Sequence, residues 1–298
     1  MPTPPPVVTV EFEPRFCGSH VIDLTAGCSF GCVYCPFAEI RAERFGLQRP
    51  TPVDLTTLSA LPPPPSVFLS PASDPFAPQA APRTAALLAH LLPRGTTVAI
   101  STKGRIPERT LDLLAEYAAQ VEGVSIGLAS LDDQRNQALE PGCPPAAARL
   151  ETLAQVARRR LPAALRLDPL FPDLDDDPAA LEALVAAAAR AGAVAVTATY
   201  VFAWGRSRRR LRRHPLTAAA AAALSEKSPM AGGQAYSVPL ARKLATYEAL
   251  ARCARRHGLH FSTCGCKDLR VRERGGLLTS CRNVLFLAGQ PTQRPAPA

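Results

Sequence analysis

Between residues 21 and 202 short apolar runs alternate with longer Ala- and Leu-rich stretches of helical period, and nothing else in the chain narrows the fold as much. The apolar runs are VIDLTAG (21–27), SVFLS (66–70), TTVAIS (96–101), GVSIGLAS (123–130), PAALRLDPL (162–170) and AVAVTATYVF (193–202). Helices are expected from the first loop to about residue 45, then over 84–92, 108–121, 145–160 and 177–192. Repeated strand–helix units require right-handed crossovers and give a parallel sheet covered by helices. Six units fall short of a closed eight-fold barrel. The reading is an α/β fold, a partial (β/α)6 TIM-like barrel, in preference to a doubly wound sheet, although periodicity alone does not separate the two.

The flanks read differently. Residues 1–20 form a proline-rich arm or partial edge strand, 21–202 the barrel, and 203–298 a mostly helical C-terminal extension with helices at 216–226 and 238–257 and a cysteine-containing tail. With 298 residues, 47% hydrophobic and 20% charged, the chain can bury a sizeable core and is not disordered as a whole. The most apolar stretch, 181–204, is interrupted by Glu182 and Arg190, so no membrane span and no membrane partner is expected. The amino terminus lacks the pattern of a secretory signal, which gives a cytoplasmic expectation.

The net charge of +9 is local. Six arginines lie in RSRRRLRRHP (206–215), and without them the charge is +3. Arg206–Arg213 is thus a candidate phosphate-binding strip for nucleic acid, weighed against a solvated helix start in an arginine-rich composition. No aromatic residues interleave it to stack bases. Lysine, by contrast, occurs only at positions 103, 227, 243 and 267.

Nine cysteines in a chain read as cytoplasmic point to metal binding or thiol chemistry rather than disulfides. GCSFGCVYC (27–35) sets Cys28, Cys32 and Cys35 directly after the first strand, at the strand-end rim where βα folds carry their chemistry. Three soft ligands without a nearby fourth suit a [4Fe–4S] cluster with one open iron; a zinc site or a ferredoxin-type cluster fits the spacing less well. A second set, Cys264, Cys266 and Cys281, lies in FSTCGCKDLRVRERGGLLTSC. It is a candidate auxiliary Fe–S cluster, with Cys253, His257, His260 or a substrate as fourth ligand; zinc or unligated thiols are the other readings.

CxxxCxxC with Tyr34 before the last cysteine resembles the signature of the radical SAM superfamily, and the resemblance covers roughly residues 18–202. It is closest to the branch that includes spore photoproduct lyase. It implies that Cys28, Cys32 and Cys35 hold a [4Fe–4S] cluster whose open iron binds S-adenosylmethionine (SAM). It further implies reductive cleavage of SAM to a 5′-deoxyadenosyl radical that abstracts a substrate hydrogen, with oxygen sensitivity and an external electron donor of flavodoxin or ferredoxin type. Strand-end segments similar to the branch's SAM contacts are SPASDP (Ser73, Asp74), STKG (Lys103), GLAS (Ser130) and RLDP (Arg166, Asp168), with Tyr34 in the cysteine loop. Lys103 and Asp74 are the candidates nearest the chemistry. Asp74 and Asp168 could equally cap turns.

Where the lyase has a hydrogen-donating cysteine this chain has Pro71, so thymine-dimer repair by that route is not expected. Cys143, in EPGCPP, is a candidate substitute, set against a loop thiol without a role. The substrate expectation is a small molecule or peptide, with nucleic acid second. A reading of another class is a non-catalytic Fe–S or zinc protein for electron transfer or partner binding.

Overall fold

The computed structural model describes residues 7–10, 20–25, 27–36, 51–53, 63–69, 73–230 and 233–280. The helix expected through residue 45, together with Cys17, Pro71 and Cys281, lies outside them. Strands β1 (Val7–Val10), β2 (His20–Asp23), β3 (Thr51–Val53), β4 (Ser66–Leu69), β5 (Thr97–Thr102), β6 (Val121–Gly127), β7 (Ala163–Leu170), β8 (Ala195–Tyr200) and β11 (His260–Thr263) make one sheet. Its order is β11-β8-β7-β6-β5-β4-β2-β1-β3. From β2 to β11 every pairing is parallel. Within this parallel part each strand lies beside the parallel strand that precedes it in the chain, so the order never reverses as it does in a doubly wound sheet. The architecture is an open partial barrel.

Four features depart from the pattern read in the sequence. The amino-terminal run is no edge strand: β1 pairs antiparallel with both β2 and β3. The sheet also continues past residue 202, because β11 pairs with β8, His260 opposite Ala195. The C-terminal segment contains a hairpin of β9 (Glu226–Met230) and β10 (Gly233–Ser237) as well. Where a helix was expected over 216–226, only Ala218–Ala222 is helical. Alanine favours a helix, but this short stretch has no side-chain cap to hold its ends.

The helices are α1 (Ala81–Leu91), α2 (Glu108–Glu116), α3 (Asp133–Leu139), α4 (Ala146–Arg158), α5 (Pro178–Arg190), α6 (Gly205–Arg213), α7 (Ala218–Ala222), α8 (Leu240–Arg256) and α9 (Leu269–Arg274). Their starts follow local chemistry. The Asp132 carboxylate accepts from the Gln134 and Arg135 N–H groups at the head of α3, and Asp177 accepts from Ala180 N–H at the head of α5, followed by Pro178. Leu87, Leu88 and Leu91 of α1 and Leu181, Leu184 and Val185 of α5 are buried in the core formed with the sheet. All six residues of β8 are buried, as expected of a parallel strand covered on both faces. Among the described residues no helix is long and apolar enough to cross a membrane.

Candidate functional site

The cysteine loop leaves the end of β2 and meets three other strand ends. Cys28 lies against the backbone of Phe30 and Asp74; burial pushes its thiol up to about 11, because the charged form is poorly solvated there. Asp74, in the turn after β4, accepts from Thr102 Oγ1 at 2.5 Å, the Lys103 N–H at 2.7 Å and the Phe76 N–H at 2.9 Å. Its carboxylate thereby fastens the β4 turn to the end of β5. Burial outweighs these three donors and holds its carboxyl above the ordinary carboxylate range. Gly104 allows the close approach: a Cβ there would sit 2.5 Å from the Phe76 carbonyl oxygen.

Cys32 faces a different set of groups. A hydrogen bond with Cys143 lowers its thiol, assisted by Lys103 and against the effect of burial. The segment carrying Cys143 is docked by its backbone: Val33 N–H donates to Leu139 O at 2.9 Å, and Gly142 N–H to Phe30 O at 3.0 Å. A Cβ on Gly142 would come within 2.6 Å of the Ser29 carbonyl oxygen, so glycine is what admits the contact. Cys35 N–H donates to Cys32 O at 3.1 Å, and Arg210 of α6 donates to Cys35 O at 2.7 Å.

Beneath the loop sits a buried polar network. The Tyr34 hydroxyl and the Arg149 guanidinium both donate to Glu140, and all three side chains are shut off from solvent. Lys103 Nζ stands 3.9 Å from Glu140 Oε1 and donates to the Asp168 carbonyl at 3.3 Å. Burial would push Glu140 up, but Lys103 and Arg149 hold it below its usual range. Lys103 in turn stays charged, since Glu140 and its neighbours outweigh its own desolvation. Tyr34 also stacks edge-on against Phe171, with centroids 5.6 Å apart.

At the end of β7 the pairing with β8 shifts register between Leu167 and Leu170, a local irregularity of the kind that re-aims side chains. Asp168 there receives Arg166 Nε at 2.9 Å and Lys267 Nζ at 2.6 Å to each oxygen. Burial raises its carboxyl, yet Lys267, Arg166 and Lys103 outweigh that and hold it well below the ordinary range. Ser130, after β6, accepts from the Asp132 N–H at 3.1 Å, which ties its hydroxyl into the turn leading to α3. Ser73 is half-buried, one residue before Asp74.

Of the residues singled out in the sequence, the structure brings Cys28, Cys32, Asp74, Lys103, Tyr34 and Asp168 to one rim. Glu140, Arg149 and Lys267 were not singled out; the scarcity of lysine that drew attention to Lys103 applied equally to Lys267. Cys143 proves to be a neighbour of Cys32 rather than a thiol apart. Cys264 is buried and Cys266 half-buried. Cys253 and His257 lie instead with Glu182, outside this rim. In the acidic stretch DLDDDP (173–178), Asp177 caps α5, while Asp173 and Asp176 pair with Arg242. Among the described residues no cysteine forms a disulfide.

The donor set fits an iron–sulfur cluster: three thiols on one loop, one flanked by a lysine, on a rim lined by charged and hydroxyl groups. A family model described as the radical SAM superfamily matches residues 22–185. An uncharacterized protein of Acidianus two-tailed virus is 34% identical over 106 residues, 36% of this chain and 35% of that protein. One from Mycobacterium tuberculosis (strain H37Rv) is 32% identical over 104 residues, 35% of this chain and 31% of that protein. The matched stretch thus spans about a third of the length of these relatives. Among solved structures, a spore photoproduct lyase mutant with bound AdoMet and dinucleoside spore photoproduct superposes with TM-score 0.64 at 15% identity, over 84% of this chain and 78% of that one. Streptococcus suis SuiB bound to S-adenosylmethionine gives TM-score 0.50 at 14% identity, over 83% of this chain and 47% of that one. At such identities the likeness is one of fold.

Proposed function

The chain belongs to the radical SAM superfamily, and from that premise we propose that it is an enzyme in which Cys28, Cys32 and Cys35 hold a [4Fe–4S] cluster and the neighbouring strand ends hold SAM. When bound, the pair supplies one-electron cleavage of SAM and hydrogen-atom abstraction from a substrate, with the electron coming from an external donor. The protein's part is positioning and electrostatics. Lys103 brings a positive charge toward Cys32 and toward an anionic group such as a carboxylate. Asp74 keeps the β4 turn and the β5 end in register beneath Cys28. Tyr34, Glu140 and Arg149 brace the cysteine loop from below and exclude water from it. Arg166 and Asp168, with the hydroxyls of Ser73 and Ser130, offer polar contacts to the amino-acid and ribose ends of SAM.

The observation that carries this reading is the joint approach of Lys103, Glu140 and Cys143 to Cys32 while Cys28 rests on Asp74. The test is anaerobic reconstitution of the wild type and of the Cys28/Cys32/Cys35→Ala variant, followed by iron and sulfide counts and assay of 5′-deoxyadenosine with SAM and dithionite. The wild type should hold at least about four irons per chain and release 5′-deoxyadenosine, and the variant should release none. Iron retained by the variant would support an auxiliary centre at Cys264, Cys266 and Cys281. A wild type that takes up no iron overturns the proposal.

A small molecule or peptide is the leading substrate class. A second reading, nucleic acid, is favoured by α6, which exposes Arg206, Arg209, Arg212 and Arg213 while Arg208 and Arg210 turn inward, Arg208 stacking on Tyr236 at 4.1 Å. Steeply salt-dependent DNA or RNA binding that is lost on replacing these four arginines would support that second reading.

A further inference from the structure

Away from the strand-end rim, α5 and α8 meet through three side chains of metal-binding type. Cys253 and His257 are one helical turn apart, so they project from the same face of α8 and its C-terminal cap. Glu182 comes from the facing helix α5. His257 Nε2 lies 2.5 Å from Glu182 Oε1, and the Cys253 thiol hydrogen-bonds the same carboxylate. Thiol sulfur, imidazole nitrogen and carboxylate oxygen all fall within 4.8 Å of one another; among the described residues this is the one group of three or more His, Cys, Asp or Glu ligand atoms so gathered.

We infer that Glu182, Cys253 and His257 form a divalent-metal site of zinc type that joins α8 to α5. The donor chemistry favours zinc: one thiolate, one imidazole and one carboxylate are its ordinary protein ligands, and His257 and Glu182, now 2.5 Å apart in a hydrogen bond, need to part by only about 1 Å to stand on a tetrahedron with water in the fourth position. Exposure is graded as a site with an entry path requires. Cys253 is buried at the back, while His257 and Glu182 are partly open to solvent. The second carboxylate oxygen of Glu182 accepts from Arg256, which would orient that ligand from outside. On binding, the ion displaces the thiol proton of Cys253 to solvent, His257 releases the Nε2 proton it donates to Glu182 and keeps its proton on Nδ1, and Zn–S, Zn–N and Zn–O bonds replace both hydrogen bonds to Glu182. No oxidation or reduction is involved. The cysteine and histidine considered in the sequence as extra ligands for the C-terminal cysteines thus have a partner of their own, and the site is independent of the cluster reading.

The experiment is zinc titration of the full-length, iron–sulfur-reconstituted protein with metal analysis, and cobalt titration with optical detection of the thiolate-to-cobalt band. One zinc per chain beyond the iron is expected for the wild type. Cys253→Ser and His257→Gln should each weaken zinc binding by at least about tenfold, and Cys253→Ser should abolish the cobalt–thiolate band. The Cys28/Cys32/Cys35→Ala variant should keep both zinc and band, so failure of the cluster proposal leaves this result readable. His257 is partly exposed, so His257→Gln decides the matter if Cys253→Ser does not fold. A wild type without the additional zinc, or a folded His257→Gln protein that binds zinc as tightly as wild type, overturns the inference.

Discussion

Asp74 and Asp168 occupy comparable stations, one just beyond β4 and one near the end of β7, the first buried and the second nearly so with its side chain 10% exposed; they are held in opposite ways. Asp74 is surrounded by neutral donors from its own neighbourhood, two backbone N–H groups and the Thr102 hydroxyl. Asp168 is gripped by cations, Arg166 from its own strand and Lys267 from the segment that follows β11. The first is a geometric fastening between adjacent strand ends. The second is an electrostatic one that reaches 99 residues along the chain to close the C-terminal segment over the rim. Burial alone therefore does not say what a strand-end carboxylate does; the charge of its partners does.

The comparison breaks most visibly on removal of the carboxylate charge. Asp168→Asn leaves Arg166 and Lys267 without their counter-charge in a mostly enclosed setting, and should cost about 3–5 kcal/mol in urea unfolding. Asp74→Asn removes no cation's hydrogen-bond partner; the Lys103 charge is only a weak neighbour of this carboxylate. It sets one amide N–H₂ against N–H donors, which should cost about 1–3 kcal/mol. Equal losses in the two variants would show that the partners' charge is irrelevant.

Acid sharpens the contrast. A carboxyl depressed on folding, such as Asp168, stabilises the fold fully above about pH 4, and that contribution fades as the pH falls toward its folded value. A raised one, such as Asp74, contributes fully below about pH 4 and loses that contribution as the pH rises through its folded value. In unfolding measured from pH 7 to pH 3, the gap between wild type and Asp168→Asn should therefore shrink at the acid end. The gap between wild type and Asp74→Asn should widen on the way down from neutrality. Two gaps moving in the same direction would refute the opposite assignments.

The same contrast marks how much of the molecule could be read in advance. The strand-end carboxylates and Lys103 were legible because each stands at the end of an apolar run, and position along a βα repeat says which end of the sheet a residue occupies. Their partners were not. Glu140 and Arg149 become a buried pair only because Gly142 lets its segment touch Ser29 and Phe30, a contact over more than 100 residues that no local period encodes. The amino-terminal run could be seen as a strand, but its place between β2 and β3 depends on Thr51–Val53, a stretch too short to signal itself. Likewise β11 is four residues long with Phe261 its one apolar residue; the core it completes, rather than its sequence, makes it a strand. The arginine run looked uniform, whereas helical geometry turns Arg208 and Arg210 inward and leaves four others outside.

The smallest effect is the most discriminating. Lys267→Ala leaves Asp168 paired with Arg166, and the Lys267 side chain is 24% exposed, so solvent already weakens the contact. A loss of about 1 kcal/mol is expected, toward the upper end for partly exposed pairs. What matters is its dependence on salt. An interaction carried by charge should be screened as the ionic strength rises, since the Debye length falls from about 10 Å at 0.1 M to about 3 Å at 1 M. The gap between wild type and Lys267→Ala should therefore narrow at high salt. The Asp74→Asn gap, which rests on hydrogen bonds from neutral groups, should stay nearly constant over the same range. If the Lys267 gap is equally insensitive to salt, the lysine holds the C-terminal segment through its packing over the Phe202 ring, 5.4 Å from Nζ to the centroid, and the two strand ends differ less than their charges suggest.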